Sequence, residues 1–269
     1  MPSVRSGPRP RKALGQHFLR DTGVLADIAA AVTVPERGFV VEIGGGTGQL
    51  TEVLLARGFE VVVVEVERRM VEHLKRRFAG ETRLTVIHAD ARDLDLATVI
   101  PSRRPFVVAG NLPYFAANPI IRKLLEGLPK PQELVVMVQR EVAREIAAKP
   151  GHMSLLAISV QVYAEATVLF DVSPLAFDPP PSVWSTVVRL VLRSEPLVPD
   201  AMNETFFRFV SKTFRNPRKQ IHNGLQMPAD VAADALTAAG IDPMRRPETL
   251  SVQEWLTLMQ TCERLMQHA

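Results

Sequence analysis

With 269 residues, 46% of them hydrophobic and 23% charged, the chain can bury one large core, or one core and a small second one. Its single cysteine, Cys262, excludes an intrachain disulfide and any cysteine-rich metal site, so no metal is expected. The net charge of +3 is only mildly basic, no apolar run approaches the ~20 residues of a membrane span, and no apolar stretch follows the basic N-terminus as in a secretory signal, so a cytoplasmic protein without a membrane segment is expected.

In chain order, residues 1–12 are rich in Pro, Arg and Gly, and residues 1–20 stand apart as a basic segment. Leu25, Ile28 and Ala29 share one face of a predicted helix over Thr22–Ala31. Strand-like apolar runs then alternate with helical stretches. Phe39–Ile43 is a predicted strand, followed by a glycine turn and a helix through Leu50, Val53 and Leu54. Val61–Val64 precedes a helix around Met70–Phe78, and Leu84–Ile87 and Phe106–Ala109 are the third and fourth strands. Ile120–Leu125 reads as helical, Leu134–Val138 as a fifth strand, and Arg140–Ala148 as a helix. Continuous Val/Ile runs separated by helices predict a mostly parallel α/β sheet covered on both faces. Thr167–Phe170 and Thr186–Leu192 are strand-like and flank Asp178-Pro179-Pro180-Pro181; if they pair, so short a connection makes them antiparallel. Residues 21–194 therefore form the predicted sheet domain. Glu195–Pro199 reads as a linker, and 199–269 as a small all-α domain, with helices over Phe206–Phe214, Ala229–Ala239 and Val252–Met266.

Charge is unevenly spread. Arg5, Arg9, Arg11, Lys12 and Arg20 have no acid among them, and neither do Arg208, Lys212, Arg215, Arg218 and Lys219. Such clusters suit a phosphate backbone; taken alone they also fit a solvated tail and an ordinary exposed helix face.

The first chemical motif is Val40-Val41-Glu42-Ile43-Gly44-Gly45-Gly46-Thr47-Gly48-Gln49-Leu50, at a strand-to-helix junction. Glycines there let the backbone approach a ligand closely. A dinucleotide fingerprint needs Gly or Ala where Gln49 stands, and no lysine is present to meet phosphates as in a P-loop. Glu65 ends the second strand, where a carboxylate can accept both ribose hydroxyls and would repel a ribose phosphate. Asp90, after the third strand, can accept from an adenine amino group, and Ala91 leaves room for the ring. Gly44 and Gly46, Glu65, and Asp90 with Ala91, at successive strand ends, describe an adenosyl ligand without phosphates, which S-adenosylmethionine fits.

Asn111-Leu112-Pro113-Tyr114 follows the fourth strand at its carboxyl end, the edge where open α/β sheets bind ligands. An exocyclic adenine amine is a poor nucleophile because its lone pair is delocalised into the ring. Two acceptors on its hydrogens favour a pyramidal nitrogen, and the Asn111 side-chain oxygen with the Leu112 or Pro113 carbonyl can supply them. Tyr114 can stack on an extruded base.

These residues resemble the small-subunit rRNA adenine N6,N6-dimethyltransferase family. Four stretches carry the likeness: Lys12-Ala13-Leu14-Gly15-Gln16-His17-Phe18-Leu19; the glycine loop with Glu65 and Asp90; Asn111-Leu112-Pro113-Tyr114; and Phe177-Asp178-Pro179-Pro180-Pro181-Ser182-Val183-Trp184-Ser185. The resemblance spans about residues 11–250. It implies a Rossmann-like methyltransferase sheet with a C-terminal helical domain that helps dock a pre-30S particle. It further implies S-adenosylmethionine as cofactor, contacted by His17 and Leu19 with Gly44, Glu65, Asp90 and Asn111, and Phe177 helping to hold the target base. The implied substrate is two adjacent adenosines in a 3′-terminal hairpin of small-subunit rRNA, each methylated twice, by a monomeric enzyme. Two departures stand out: His17, where the family often has Asn, and Pro217, where a further basic residue is expected.

Three other readings compete. A macrolide-resistance-type enzyme acting on large-subunit rRNA is disfavoured by Leu112 and by Leu14-Gly15-Gln16. A non-catalytic ribosome-assembly or RNA-binding factor is disfavoured by the intact Asn111, Pro113 and Tyr114. A nicotinamide oxidoreductase fails at Gln49.

Overall fold

The computed structural model describes residue 8 and residues 16–100, 104–215 and 219–267. Arg5, Arg9, Arg11 and Lys12, the Ala13-Leu14-Gly15 part of the N-terminal box, and Asn216-Pro217-Arg218 lie outside the described residues. The chain divides into two compact units, one of residues 1–143 with 167–192 and one of 144–166 with 193–269.

The first unit is built on the predicted α/β sheet. Five parallel strands run β2 (Phe39–Ile43), β3 (Val61–Glu65), β4 (Leu84–His88), β5 (Phe106–Asn111) and β6 (Glu133–Gln139) in chain order. β9 (Ser185–Leu192) lies antiparallel to β6, with Gln139 opposite Ser185, and β7 (Ala164–Val172) flanks β9. The spatial order is β4-β3-β2-β5-β6-β9-β7. β2, β3 and β6 are buried along almost their whole length, which is why they read as unbroken Val/Ile runs rather than as alternation. β4, at the sheet's edge, is the most exposed of the parallel strands.

The order of strands reverses between β2 and β5, whose neighbours lead outward in opposite directions. Crevices at the carboxyl ends of such a pair are where open sheets bind ligands. Helix α1 (Thr22–Ala31) begins at Asp21, whose carboxylate caps the Gly23 and Val24 amides at 2.9 and 3.0 Å, and buries Leu25, Ile28 and Ala29. α2 (Gln49–Ala56), α3 (Arg68–Arg77), α4 (Leu96–Val99) and α5 (Ala117–Glu126) follow the strand ends, and α6 (Arg140–Ile146) leaves β6 directly. One ladder escaped the sequence: β1 (Phe18–Leu19) pairs antiparallel with β8 (Phe177–Asp178), Leu19 opposite Phe177. Two residues per strand are too few to show periodicity.

The second unit is helical: α7 (Leu155–Gln161), α8 (Asn203–Phe214), α9 (Ala229–Ala238) and α10 (Val252–Gln267). Trp255 is fully buried, with Phe214 at 5.5 Å and Phe209 at 6.2 Å between ring centroids. This unit departs from the sequence boundaries by including residues 144–166. The reason lies in the backbone: Arg193 and Leu197 donate to the Tyr163 and Val162 carbonyls, and Gly151 and Met153 both donate to Glu248, each at 2.9 Å. Ser154 caps α7 through Ala157 at 3.1 Å, a helix start that the apolar run over 153–164 concealed.

Candidate active site

The glycine loop leaves the end of β2 with Gly44, Gly46 and Gly48 at φ of 78°, 53° and 85°, a region open chiefly to glycine. The turn directs the Gly46 amide at Glu65 Oε2 (2.9 Å), while the Glu67 amide donates to Oε1 (2.8 Å). Both oxygens of this 5%-exposed carboxylate are thus fixed in orientation. Burial raises its pKa, partly offset by the two backbone donors. The Phe18 ring covers the loop: a Cβ on Gly46 would stand 3.2 Å from it. Behind the loop, Glu42 is wholly buried and accepts from the Thr51 hydroxyl at 2.6 Å. Burial pushes its pKa up to about 7, against that hydrogen bond and with help from the negative charge of Glu65.

Across the crevice, β5 ends in Gly110-Asn111. A Cβ on Gly110 would lie 2.6 Å from the Ile43 carbonyl oxygen, so the close approach of β5 to β2 requires glycine. The Asn111 Nδ2 donates to the His17 carbonyl at 3.2 Å. Because that carbonyl can only accept, the amide nitrogen must face it, and Oδ1 is left as the side chain's acceptor. The Leu112 amide donates to Met137 (3.1 Å), and the Pro113 carbonyl accepts from Ala116 (2.9 Å). The tetrapeptide is therefore a hydrogen-bonded turn in which Leu112, rather than Pro113, keeps its carbonyl out of the turn's own bonds. Tyr114 shares a 2.8 Å hydrogen bond with Ser185, and burial raises its pKa. The His17 ring stacks on Tyr114 at 6.1 Å between centroids and 23° between planes. Its Nδ1 lies 2.8 Å from the Pro179 carbonyl; an acceptor there requires the proton on Nδ1, leaving Nε2 as the acceptor of the neutral ring.

His17, Gly44, Gly46, Glu65, Asn111, Leu112, Pro113 and Tyr114 all line one cleft of about 750 Å³, mouth included. An adjoining space of about 370 Å³ shares Gly44, Gly46 and Asn111 and adds Leu19, Glu42 and Gln49. Three expected site residues line neither. Asp90 is held by Arg92, whose Nη2 reaches Oδ2 at 2.6 Å and whose amide reaches Oδ1 at 2.9 Å; this keeps the carboxyl below its usual range. Ala91 is buried beside it, and Phe177 is 5% exposed within the core, opposite Leu19.

The cleft also contains residues to which the sequence assigned no role in the site. Gln16 donates to Glu67 at 2.7 Å, Phe18 forms a wall, and Val66 and Phe115 are 57% and 64% exposed at the lining. Each adjoins a residue already singled out, so adjacency to the motifs was the available clue. Among the described residues, no cluster of His, Cys, Asp or Glu could hold a metal, and no helix is long and apolar enough to cross a membrane.

A family model described as ribosomal RNA adenine dimethylase matches residues 7–264. A ribosomal RNA small subunit methyltransferase A of Dehalococcoides mccartyi is 38% identical over 254 residues, covering 93% of this chain and 87% of that protein. The protein of the same name from Desulfitobacterium hafniense is 40% identical over 258 residues, covering 94% and 92%. Among solved structures, the 23S rRNA methyltransferase ErmE superposes with a TM-score of 0.73 at 27% identity over 91% of this chain and 99% of its own. A dimethyladenosine transferase from Plasmodium falciparum shares the fold, with a TM-score of 0.76 at 24% identity over 92% of this chain and 98% of its own.

Proposed function

The chain belongs to the ribosomal RNA adenine dimethylase family, and from that premise we propose that it dimethylates N6 of two adjacent adenosines in a 3′-terminal hairpin of small-subunit rRNA, using S-adenosylmethionine. The observation that carries this reading is Asn111, whose Nδ2 is tied to the His17 carbonyl so that Oδ1 is its remaining acceptor, lining one cleft with Leu112, Gly44, Gly46 and Glu65.

The donor side fits an adenosyl sulfonium. The bare backbone at Gly44 and Gly46 leaves room that a side chain would fill, and no lysine in the loop invites a phosphate. Glu65, with each oxygen already steadied by an amide, retains lone pairs for two ribose hydroxyls. Asp90, braced by Arg92, and Ala91 meet the adenine end, and His17 and Leu19 close the site from the N-terminal side. When bound, S-adenosylmethionine supplies an electrophilic methyl on a positively charged sulfur. The chain's residues prepare the nucleophile. In the first transfer Asn111 Oδ1 and the Leu112 carbonyl accept the two N6 hydrogens, and in the second one of them accepts the hydrogen that remains, turning the nitrogen lone pair out of conjugation; the proton displaced by each methyl leaves to solvent. Tyr114, held by Ser185 and backed by His17, stacks on the extruded base. Pro113 fixes the turn. Phe177 positions rather than touches, by pairing β8 with the strand that carries Leu19.

Arg208, Lys212, Arg215 and Lys219 of the helical unit dock the RNA backbone, and the enzyme acts as a cytoplasmic monomer. The test is to incubate purified small and large ribosomal subunits with labelled donor and to identify the products by mass spectrometry. Dimethyladenosine in the small subunit is expected. Label confined to the large subunit would move the chain to the activity named for ErmE, and no label on either would favour a non-catalytic assembly factor.

A further inference from the structure

Beyond the cleft, the same sheet edge carries a pair that the catalytic reading leaves unused. Arg140 begins α6 at the end of β6, and Trp184 directly precedes β9. The Arg140 amide donates to the Trp184 carbonyl at 3.0 Å, and its guanidinium carbon lies 5.6 Å from the indole centroid. Trp184 is 43% exposed, whereas Ser185, its neighbour, is fully buried and bonded to Tyr114. Among the described residues no carboxylate pairs with Arg140. An exposed indole carrying an uncompensated guanidinium gives the fold little: cation–π contacts at exposed sites are weak, and the ring remains in water.

Strand order says what the pair faces. Along the carboxyl edge come Glu65 on β3, the glycine loop after β2, Asn111 on β5, Arg140 just after β6 and Trp184 just before β9. The pair lies beyond the catalytic turn, on the side away from the glycine loop, with Arg140 one strand spacing (roughly 5 Å) and Trp184 two (roughly 10 Å) from the line of β5. An adenosine extruded into the cleft leaves its neighbour without a stacking partner on one face, and a phosphate must pass between the two. An indole and a guanidinium side by side match those needs, one by stacking and the other by charge-assisted hydrogen bonds.

We propose that Arg140 and Trp184 form a subsite for the nucleotide adjacent to the one in the catalytic cleft, the indole stacking on its base and the guanidinium holding its phosphate. The subsite rests on the RNA-methylating function above. In a substrate with two neighbouring targets, it holds one adenosine while the other reacts.

The experiment measures kcat and KM on small ribosomal subunits for the wild-type chain, Trp184→Ala, Trp184→Phe and Arg140→Gln, together with iodide quenching of Trp184 emission. Trp255, the other tryptophan, is fully buried and shielded from iodide. Trp184→Ala is expected to raise KM for the subunit by roughly tenfold, in line with base–aromatic stacking elsewhere. Trp184→Phe should recover most of that loss and Arg140→Gln should share it, while KM for the donor stays within twofold in all three. An RNA hairpin with two adjacent adenosines should protect Trp184 from iodide. Unchanged KM in an active Trp184→Ala chain, or no protection by the hairpin, overturns the subsite. So does a tryptophan-dependent dimer in sedimentation, which would assign the patch to a second copy, or protection by intact subunits but not by RNA, which would assign it to a ribosomal protein. Failure of the wild-type chain to methylate either subunit is a different result: it removes the functional reading and the subsite with it.

Discussion

On the β2–β3 side of the cleft the polar groups are committed to one another. Glu65 accepts from Gly46 and Glu67, Glu42 accepts from Thr51, and both carboxylates are buried. On the β5 side the cleft wall is aromatic and open, with Phe115 64% exposed and Tyr114 held by a single side-chain hydrogen bond, and beyond it along the same edge Trp184 is 43% exposed. A small donor of constant shape is met by a rigid, pre-paired wall, which lowers the ordering cost of binding. A nucleobase arriving on a large RNA brings its own surface, and rings left in water are covered only when it arrives. On the proposed function, the sheet thus places a finished half-site beside one that a macromolecular substrate completes.

The largest test falls where the halves meet. Asn111→Ala should lower methyl transfer by about 10²–10³-fold, the loss typical of removing one preorganised transition-state hydrogen bond. Single-turnover rates at saturating donor would show it, with donor affinity by calorimetry falling much less. Equal losses in both would erase the distinction between the halves.

The donor half should show its burial in stability. Glu42 has a folded-state pKa raised from 4.5 to about 7, so folding takes up a proton between those values. Its contribution is fully present below pH 4.5 and is lost as pH rises through 7, a change on the order of 3 kcal/mol. Glu42→Gln, which still offers Thr51 an acceptor, should remove this dependence and gain on the parent between pH 5 and pH 8 in denaturant melts. A parallel pH dependence in both chains would show that the carboxylate is not desolvated.

A smaller effect belongs to the open half. Tyr114→Ala should cost about 1–3 kcal/mol in kcat/KM for RNA through lost stacking. Tyr114→Phe retains the ring and forfeits only the Ser185 hydrogen bond, about 1 kcal/mol or less. Equal defects would give the hydroxyl, not the ring, the main role. The smallest effect is expected at Arg92, whose ion pair with Asp90 is solvent-screened: Arg92→Ala should change the donor Kd by less than about threefold by calorimetry.

Much of the sheet was legible because its strands are long and apolar. β2 and α1 have the bounds that the apolar pattern predicts, and the other strands differ by only a few residues. The glycine loop and the tetrapeptide were legible because their chemistry needs particular residues in consecutive order. What stayed hidden depends on distance through space. Nothing local in Phe18-Leu19 says that it pairs with Phe177-Asp178, 158 positions later for Leu19 and Phe177, or that Phe18 roofs Gly46. Asp90 read as an open acceptor; its fork with Arg92 depends on a side-chain orientation that spacing alone does not fix. The grouping of residues 144–166 with the helical unit rests on backbone bonds to Glu248 and from Arg193 and Leu197, which leave no pattern in the residues themselves.

Gly110 matters beyond its own strand. The hydrogen atom it carries in place of a methyl sets the gap between two jaws, which in the proposed function grip the sulfonium and the amine. Any bulkier residue there would act as a shim. On the proposed function the bite would then no longer meet, and the RNA would be left unmarked.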